Sequence, residues 1–319
     1  MQQEIRFATF NVFNLAPPGA QLYDNLAPST QEEYEAKLAW TARQIDLLDA
    51  DVIGFQEIFS QAALRAALAM TRHYRDAHHV GFDPDPAAER LTPSVALVSR
   101  LPLAAPGLAH VQFPEGIAMP AGSRDPDRFS RALIHADVVV SPDCTVDVVV
   151  VHLKSKRPDY RNGDSSEDAA LFAQACLRSL VRRGTEAAAL RVFLCQLAQA
   201  NPRPRIVLGD FNDVADAVTT TIVMGNGSIG HRLFDAYQLQ RRQDPLRHVG
   251  FSTVHEGQYT TIDHILVSEH FNAALPDAIG EVADVIYLND HLVLDVPGAS
   301  DHGQVVARLR LYDETHGME

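Results

Sequence analysis

The sequence predicts an α/β protein built in layers, with sheets covered by helices. Short apolar runs rich in β-branched residues recur along the chain, stretches of helical periodicity lie between some of them, and the two alternate irregularly rather than one for one as in a barrel. The runs 5–10, 51–55, 94–99, 132–140, 145–153, 205–211, 261–268 and 304–311 read as buried strands. Ser141, Pro142, Asp143 and Cys144 join two of these runs as a hairpin would. Helical spacing is clearest over 31–48, where Tyr34, Leu38, Trp40, Thr41, Ile45 and Leu48 fall on one side. Pro28 precedes it, and Ser29 with Glu32 offers a capping box. Further helices are expected over 60–70, over 167–182 with Arg182 and Arg183 near its end, and over 185–200, stopping before Pro202. The Pro- and Gly-rich stretches 16–29, 81–93, 112–128 and 223–232 read as long loops, a common place for functional lips.

With 319 residues, 46% of them hydrophobic and 21% charged, the chain can bury a sizeable core as a single domain spanning 1–319. No apolar run approaches the roughly 20 residues that cross a bilayer. The N-terminus has no basic, apolar and small-residue sequence of a signal peptide, although a mature secreted chain would look the same. Cys144, Cys176 and Cys195 are odd in number and lack metal-type spacing, which points to free thiols and a cytoplasmic location. The net charge of −14 argues against a tight duplex binder, because phosphate neutralisation dominates that affinity. A local basic strip, and hence a nuclease, stays compatible with it. No protein partner is evident.

Polar residues cluster where the strand runs end. Asn11 follows the first, Glu57 the second, and His152, Lys154 and Lys156 follow the run 145–153. Asp210 and Asn212 follow the run 205–211, Asp263 interrupts an apolar strand, and Asp301–His302 precede the last run. One such residue means little; so many strand ends carrying an acid, an amide or an imidazole point to one crevice at a sheet rim. Hard oxygen donors such as Glu57 and Asp301, with Asn11 nearby, favour Mg²⁺ or Mn²⁺ over zinc. A carboxylate inside an apolar strand is costly without a partner, so Asp263 is best explained by pairing with a histidine. The basic run Lys154, Lys156 and Arg157 reads equally as a solvated loop or as a lip that collects phosphate.

Taken together, FNVFNL (10–15), GFQEI (54–58), VHLKSK (151–156), GDFND (209–213), IDHILVS (262–268) and SDHGQVV (300–306) resemble the endonuclease/exonuclease/phosphatase superfamily. The motifs stand in that family's order and span 5–311. The resemblance implies a DNase I-like four-layer α/β/β/α sandwich of two mixed sheets flanked by helices. It implies a metal site at Asn11, Glu57 and Asp301, with Glu57 the principal ligand of Mg²⁺ or Mn²⁺. The catalytic set would be His152, Asp210, Asn212, Asp263 and His302. Asp263 would hold the His302 ring, Asp210 would position or deprotonate water, and Asn212 would donate to a phosphate oxygen. Arg131, in FSRAL, matches a phosphate-contacting arginine of some DNase-like members, and it joins Lys154 and Lys156 as a substrate-phosphate candidate. His152 stands where abasic-site enzymes tend to carry Tyr and where DNase-like or phospholipid-cleaving members carry His. Phe13 replaces an extra acid of some nucleases, which leaves one metal rather than two.

The expected activity is therefore that of a phosphodiesterase, foremost a nuclease acting on nucleic acid or nucleotides through metal-activated water. A phosphoesterase of small or lipid-borne phosphates, such as inositol phosphates or sphingomyelin, is the alternative, favoured by the negative charge. A non-catalytic binding module on the same fold would have lost some of the eight central positions, and none is lost.

Overall fold

The computed structural model describes residues 3–312 apart from 86, 162–163, 227–230, 241–249 and 295. Residues 227–230 of the expected loop 223–232, and the tail 313–319, therefore lie outside the described residues. Two six-stranded mixed sheets form the centre. The first contains β1 (Glu4–Leu15), β2 (Val52–Ile58), β3 (His78–Gly81), β4 (Ser94–Ser99), β13 (Gly280–Leu288) and β14 (Gln304–Leu311), in the order β13-β14-β1-β2-β4-β3. The second contains β5 (Leu108–Gln112), β6 (Arg128–Ser141), β7 (Cys144–His152), β8 (Arg205–Asp210), β9 (Leu233–Asp235) and β12 (Asp263–Ser268), in the order β5-β6-β7-β8-β12-β9. A separate hairpin pairs β10 (Thr253–His255) with β11 (Gln258–Thr260).

Three apolar layers hold the sandwich together. Val52, Leu97, Val148, Val150, Leu208 and Val305 fill the space between the sheets. Trp40, Ile45, Phe55 and Leu64 pack α1 (Gln31–Leu48) and α2 (Gln61–Ala69) on the first sheet. Val149, Val151, Leu190, Leu194 and Val223 pack α3 (Ala169–Ala200) and α4 (Val218–Met224) on the second. Helix–sheet–sheet–helix is the expected four-layer order. A one-turn α5 (Ala236–Leu239) follows β9. The sheets approach closely at Gly54, where a Cβ would lie 2.0 Å from Leu208 Cδ1.

Several local expectations need correction. The helices expected over 167–182 and 185–200 are one, α3. Gly184 in its middle costs about 1 kcal/mol relative to alanine. However, the buried stripe Ala175, Ser179, Arg183, Ala187, Leu190, Leu194 and Ala198 runs through it in phase, and Asp168 caps its start. The capping box of α1 lies one residue later than expected: Thr30 and Glu33 satisfy each other's backbone N–H. Strand β13 was hidden because Asp284 breaks its apolar run; the ion pair with Arg308, at 2.6 Å, makes that break tolerable. His79 is half-buried on β3 against Gln61 Oε1 at 2.7 Å. The loop expected over 81–93 is borne out apart from Gly81, and that over 223–232 begins inside α4.

Topology brings the polar residues together. β1 runs parallel to β2, and β7 runs parallel to β8, so four C-terminal ends share one rim. β14 is antiparallel to β1 and β12 antiparallel to β8, so their N-terminal ends arrive at the same rim.

Candidate active site

Register sets the floor of the site. Asn11 pairs with Gln56 beside Glu57, His152 pairs with Asp210, and Asp210 pairs with Asp263. Asn11 Nδ2 donates to Asp210 Oδ2 at 3.1 Å and to Glu57 Oε1 at 3.4 Å. His302 Nδ1 lies 2.8 Å from Asp263 Oδ2, and its Nε2 faces Asp210 at 3.9 Å and Asp301 at 4.0 Å. His152 Nε2 lies 3.4 Å from Asp210 Oδ2. Asn11, His152, Asp210, Asp263 and His302 are buried, Glu57 is half-buried, and Asp301 is exposed at the mouth. All eight central positions read from the sequence meet here.

Backbone irregularities aim these groups. Phe13, Asn14, Glu57 and Asn212 have positive φ, an arrangement that costs on the order of 1–3 kcal/mol each for side-chain-bearing residues. The kink after Asn11 turns the Asn14 N–H onto Glu57 Oε2 at 3.0 Å. Asn212 turns its own N–H onto Asp210 Oδ1 at 2.7 Å and gives an amide hydrogen to Leu153 O at 3.0 Å. The glycine of GDFND is required because a Cβ on Gly209 would sit 2.0 Å from Val151 O.

Burial, reinforced by the Asp263 carboxylate, pushes the Asp210 carboxyl up to about 7. Burial also pulls at the His302 imidazolium, but Asp263, by charge and hydrogen bond, and then Asp210 hold it well above the usual histidine value. Burial, then the charges of Arg131, His302 and Lys154, keep His152 well below that value and hence neutral.

A cavity of about 1160 Å³ opens above this floor. Arg131, Lys154, Lys156 and Arg157 line it, with Tyr23 and the β10–β11 hairpin. The basic run is thus at a lip, but partly engaged: Lys156 pairs with Asp213 at 2.8 Å, and Lys154 Nζ donates to Ser155 O and Arg157 O, both at 3.2 Å. Burial, then the Arg131 charge, lowers Lys154 to about 8.

One placement differs from the sequence reading. The Asn11 Oδ1 accepts the Phe13 N–H at 3.0 Å, so Asn11 turns its NH₂, not its oxygen, toward Glu57 and Asp210. A backbone donor sets that orientation, turning the amide oxygen expected to face a metal toward the Phe13 N–H.

Supporting residues were missed. Lys37 of α1 is buried, donates to Ala299 O at 3.3 Å, and feels Asp301 and Glu57; burial lowers it to about 8. Its sequence signal was a lysine on the inward side of α1, beside Leu38. Glu186 of α3 accepts from Ser130 N and Lys154 N at 3.0 and 2.8 Å, bracing the strand ends that carry Arg131 and Lys154. Ser300 Oγ bridges Asn11 O and His302 N, and Ser252 Oγ accepts the Asp263 N–H. A lone serine carries no such signal in sequence.

The donor set suits a hard divalent cation. Glu57, Asp210, Asp263 and Asp301 crowd four carboxylates around one rim, and the Asp210 charge is destabilised by its neighbour. Ligand-type atoms of Asp210, Asp263 and His302 lie within 4.8 Å of one another, and His302 engages one Asp263 oxygen. Glu57 and Asp301 are the less buried of the four, and both line the cavity.

A model of the Endonuclease/Exonuclease/phosphatase family matches residues 8–302. The chain belongs to this family. It is accordingly a phosphoric-ester hydrolase, in a family that is usually dependent on divalent metal. The human nocturnin catalytic domain, solved with a bound sulfate anion, is similar in structure, with 17% identity, a TM-score of 0.59, and 98% of each chain covered. So are the mannosyl-6-phosphatase of Bacteroides thetaiotaomicron, with 16% identity, a TM-score of 0.58 and coverage of 96% and 99%, and a humanized D. rerio TDP2, with 14%, 0.57 and coverage of 96% and 98%. At these identities the likeness speaks for the DNase I-like fold. No curated protein sequence matches the chain significantly. Among the described residues no helix is long and apolar enough to cross a membrane.

Proposed function

We propose that the chain is a Mg²⁺- or Mn²⁺-dependent phosphodiesterase, foremost a nuclease acting on nucleic acid or nucleotides. The observation that carries this reading is the meeting of the His302–Asp263 pair, Asp210 and Glu57 on the floor of a wide cleft that cations also line. In this proposal Glu57 and Asp301 hold the ion, and Asn11 and Lys37 hold Glu57 and Asp301 in turn. The bound ion would supply positive charge to the phosphoryl oxygens and help generate the nucleophile. Asp210 positions the attacking water and takes its proton as the new O–P bond forms and the ester O–P bond breaks. His302, kept protonated by Asp263, stabilises the charge on the transferred phosphoryl group. His152 and the Asn212 amide donate to its oxygens, and Arg131, Lys154 and Lys156 receive flanking phosphates. A single domain over 1–319 and a cytoplasmic location belong to the same reading.

The second reading is a phosphoesterase of small or lipid-borne phosphates. The net charge of −14 favours it, as does the ion pair that engages Lys156, since both weaken the grip on a long polyanion.

The test incubates the protein with plasmid DNA, RNA, a generic phosphodiester, a generic phosphomonoester, inositol phosphates and sphingomyelin, each with Mg²⁺, Mn²⁺ or EDTA. Turnover of DNA or RNA that EDTA abolishes supports the nuclease. Turnover confined to the monoester, inositol phosphate or sphingomyelin replaces it with the second reading. No metal-dependent turnover of any substrate sinks both.

A further inference from the structure

A second buried polar cluster lies at the other end of β7. Five residues back from His152, or about 17 Å along the strand, Asp147 projects from the face of the second sheet that α3 covers. It pairs in register with Asp137 of β6 and with Arg205 of β8, and His135 shares its face two residues before Asp137. His135 Nε2 lies 3.3 Å from Asp137 Oδ1 and 3.5 Å from Asp147 Oδ1. The ligand-type atoms of His135, Asp137 and Asp147 all fall within 4.8 Å of one another.

Asp147, 0% exposed, lacks a hydrogen bond on both carboxylate oxygens, whereas Asp263 in the cleft lacks one on a single oxygen. His135 Nε2 is buried and unpartnered too. So is Nε2 of His110, whose ring centroid lies 6.0 Å from that of His135. A buried, unpaired carboxylate costs several kcal/mol, and native proteins rarely leave one so.

The neighbouring arginines do not relieve it. Arg203 Nη1 binds the far oxygen of Asp137 at 2.9 Å and stays 4.0 Å from Asp147. Arg205 Nη1 donates to Arg203 O at 2.9 Å. The spacing of the donors suggests what does. Two donors bound 2.0–2.1 Å from a tetrahedral ion stand about 3.4 Å apart, close to both His135 separations. Arg203, 37% exposed, and Asp137, 22% exposed, leave the cluster a way in from solvent.

We infer that His135, Asp137 and Asp147 form a second metal site, for a zinc-class divalent ion, with His110 flanking it. An imidazole with two carboxylates suits zinc better than the oxygen-only surroundings that magnesium prefers. Far from the cleft, the ion clamps β6 and β7 beneath α3 and serves structure rather than turnover.

The experiment uses the full chain carrying Glu57→Ala, which weakens the proposed catalytic metal site, so the outcome is independent of the phosphodiesterase reading. After EDTA dialysis the protein is titrated with Zn²⁺ or Co²⁺ alone. One tightly held equivalent, the visible spectrum of four-coordinate Co²⁺, and a rise in Tm with Zn²⁺ are expected. Asp147→Asn and His135→Gln, each added to that background, should lower the affinity at least tenfold. Because either variant can fail to fold, the imidazole ¹⁵N shifts of His135 in the Glu57→Ala protein are followed through the same titration, and zinc should move its Nε2 signal. A silent His135 signal, no retained equivalent, or equal binding in folded variants would overturn the site.

Discussion

Strand β7 ends in a polar cluster on each side, and the two clusters are built differently. At the His152 end, residues from β1, β2, β8, β12 and the approach to β14 converge, and the buried carboxylates receive N–H donors: Asp210 from Asn11 and Asn212, Asp263 from His302. Backbone strain collects there and an open cavity lies above. At the Asp147 end the cluster groups come from adjacent strands, α3 covers them, and the Asp147 oxygens receive no hydrogen bond. Pre-organised donors around an accessible void are what a reaction centre requires, because charge developing on substrate must find its partners in place. A bare carboxylate under a helix instead asks for something small and permanent.

The difference is open to direct attack, and the largest effects belong to the cleft. Glu57→Ala and His302→Ala should each lower kcat/KM by roughly a thousand-fold or more, about 4 kcal/mol, with Tm unchanged or raised, since strain and like charges at active sites oppose stability. Rates equal to the unaltered protein would undo the assignment. Asp263→Asn keeps the shape but removes the charge that holds His302 protonated. A loss of roughly a hundred-fold in kcat, with KM steady, is expected from steady-state kinetics. Arg131→Ala should act mainly on KM, raising it roughly tenfold for phosphate-rich substrates and less at high salt. A pure kcat effect would move Arg131 from substrate binding to chemistry.

At the other end the readout changes from rate to melting. In zinc-loaded protein, Asp147→Asn should lower Tm by several degrees, while turnover falls by less than tenfold. A rate loss as large as that of Glu57→Ala would abolish the distinction between the two ends.

The smallest effect lies away from both. Burial brings His79 down to about 4, so it stays neutral in the folded chain while its unfolded counterpart titrates near 6.5. Between those values the unfolded chain binds more protons, so stability falls as pH drops from 6.5 toward 4 and is untouched above. His79→Gln should flatten that window by on the order of 1 kcal/mol, measured by denaturant unfolding at pH 7 and pH 5. An unchanged slope would place the acid sensitivity in other buried histidines.

Much of this was legible before folding because a strand run ends visibly. Asn11, Glu57, His152, Asp210 and Asp301–His302 stand where apolar alternation stops, and Asp263 interrupts it, so the polar residue announces itself. Lys37, Glu186, Ser252 and Ser300 lie on helices and loops where a polar residue is ordinary, and only packing shows what each one touches. The same holds for the Asn11 amide, whose orientation depends on a backbone N–H two residues on. Strand β13 and the continuous α3 escaped for a related cause: an ion pair forgives Asp284, and a buried stripe forgives Gly184, though local propensity forgives neither.

The sequence by itself determined the layered class, the family motifs and the residue types that meet in the cleft, because hydrophobic period and strand-end chemistry are local properties of the chain. Tertiary structure alone decided which strand ends share a rim, which of the carboxylates line the cavity, and that both Asp147 oxygens lie buried without a hydrogen bond. Those outcomes depend on parallel and antiparallel register between segments up to 306 residues apart, as in the pairing of Glu4 with Arg310. Register is set by the whole core at once.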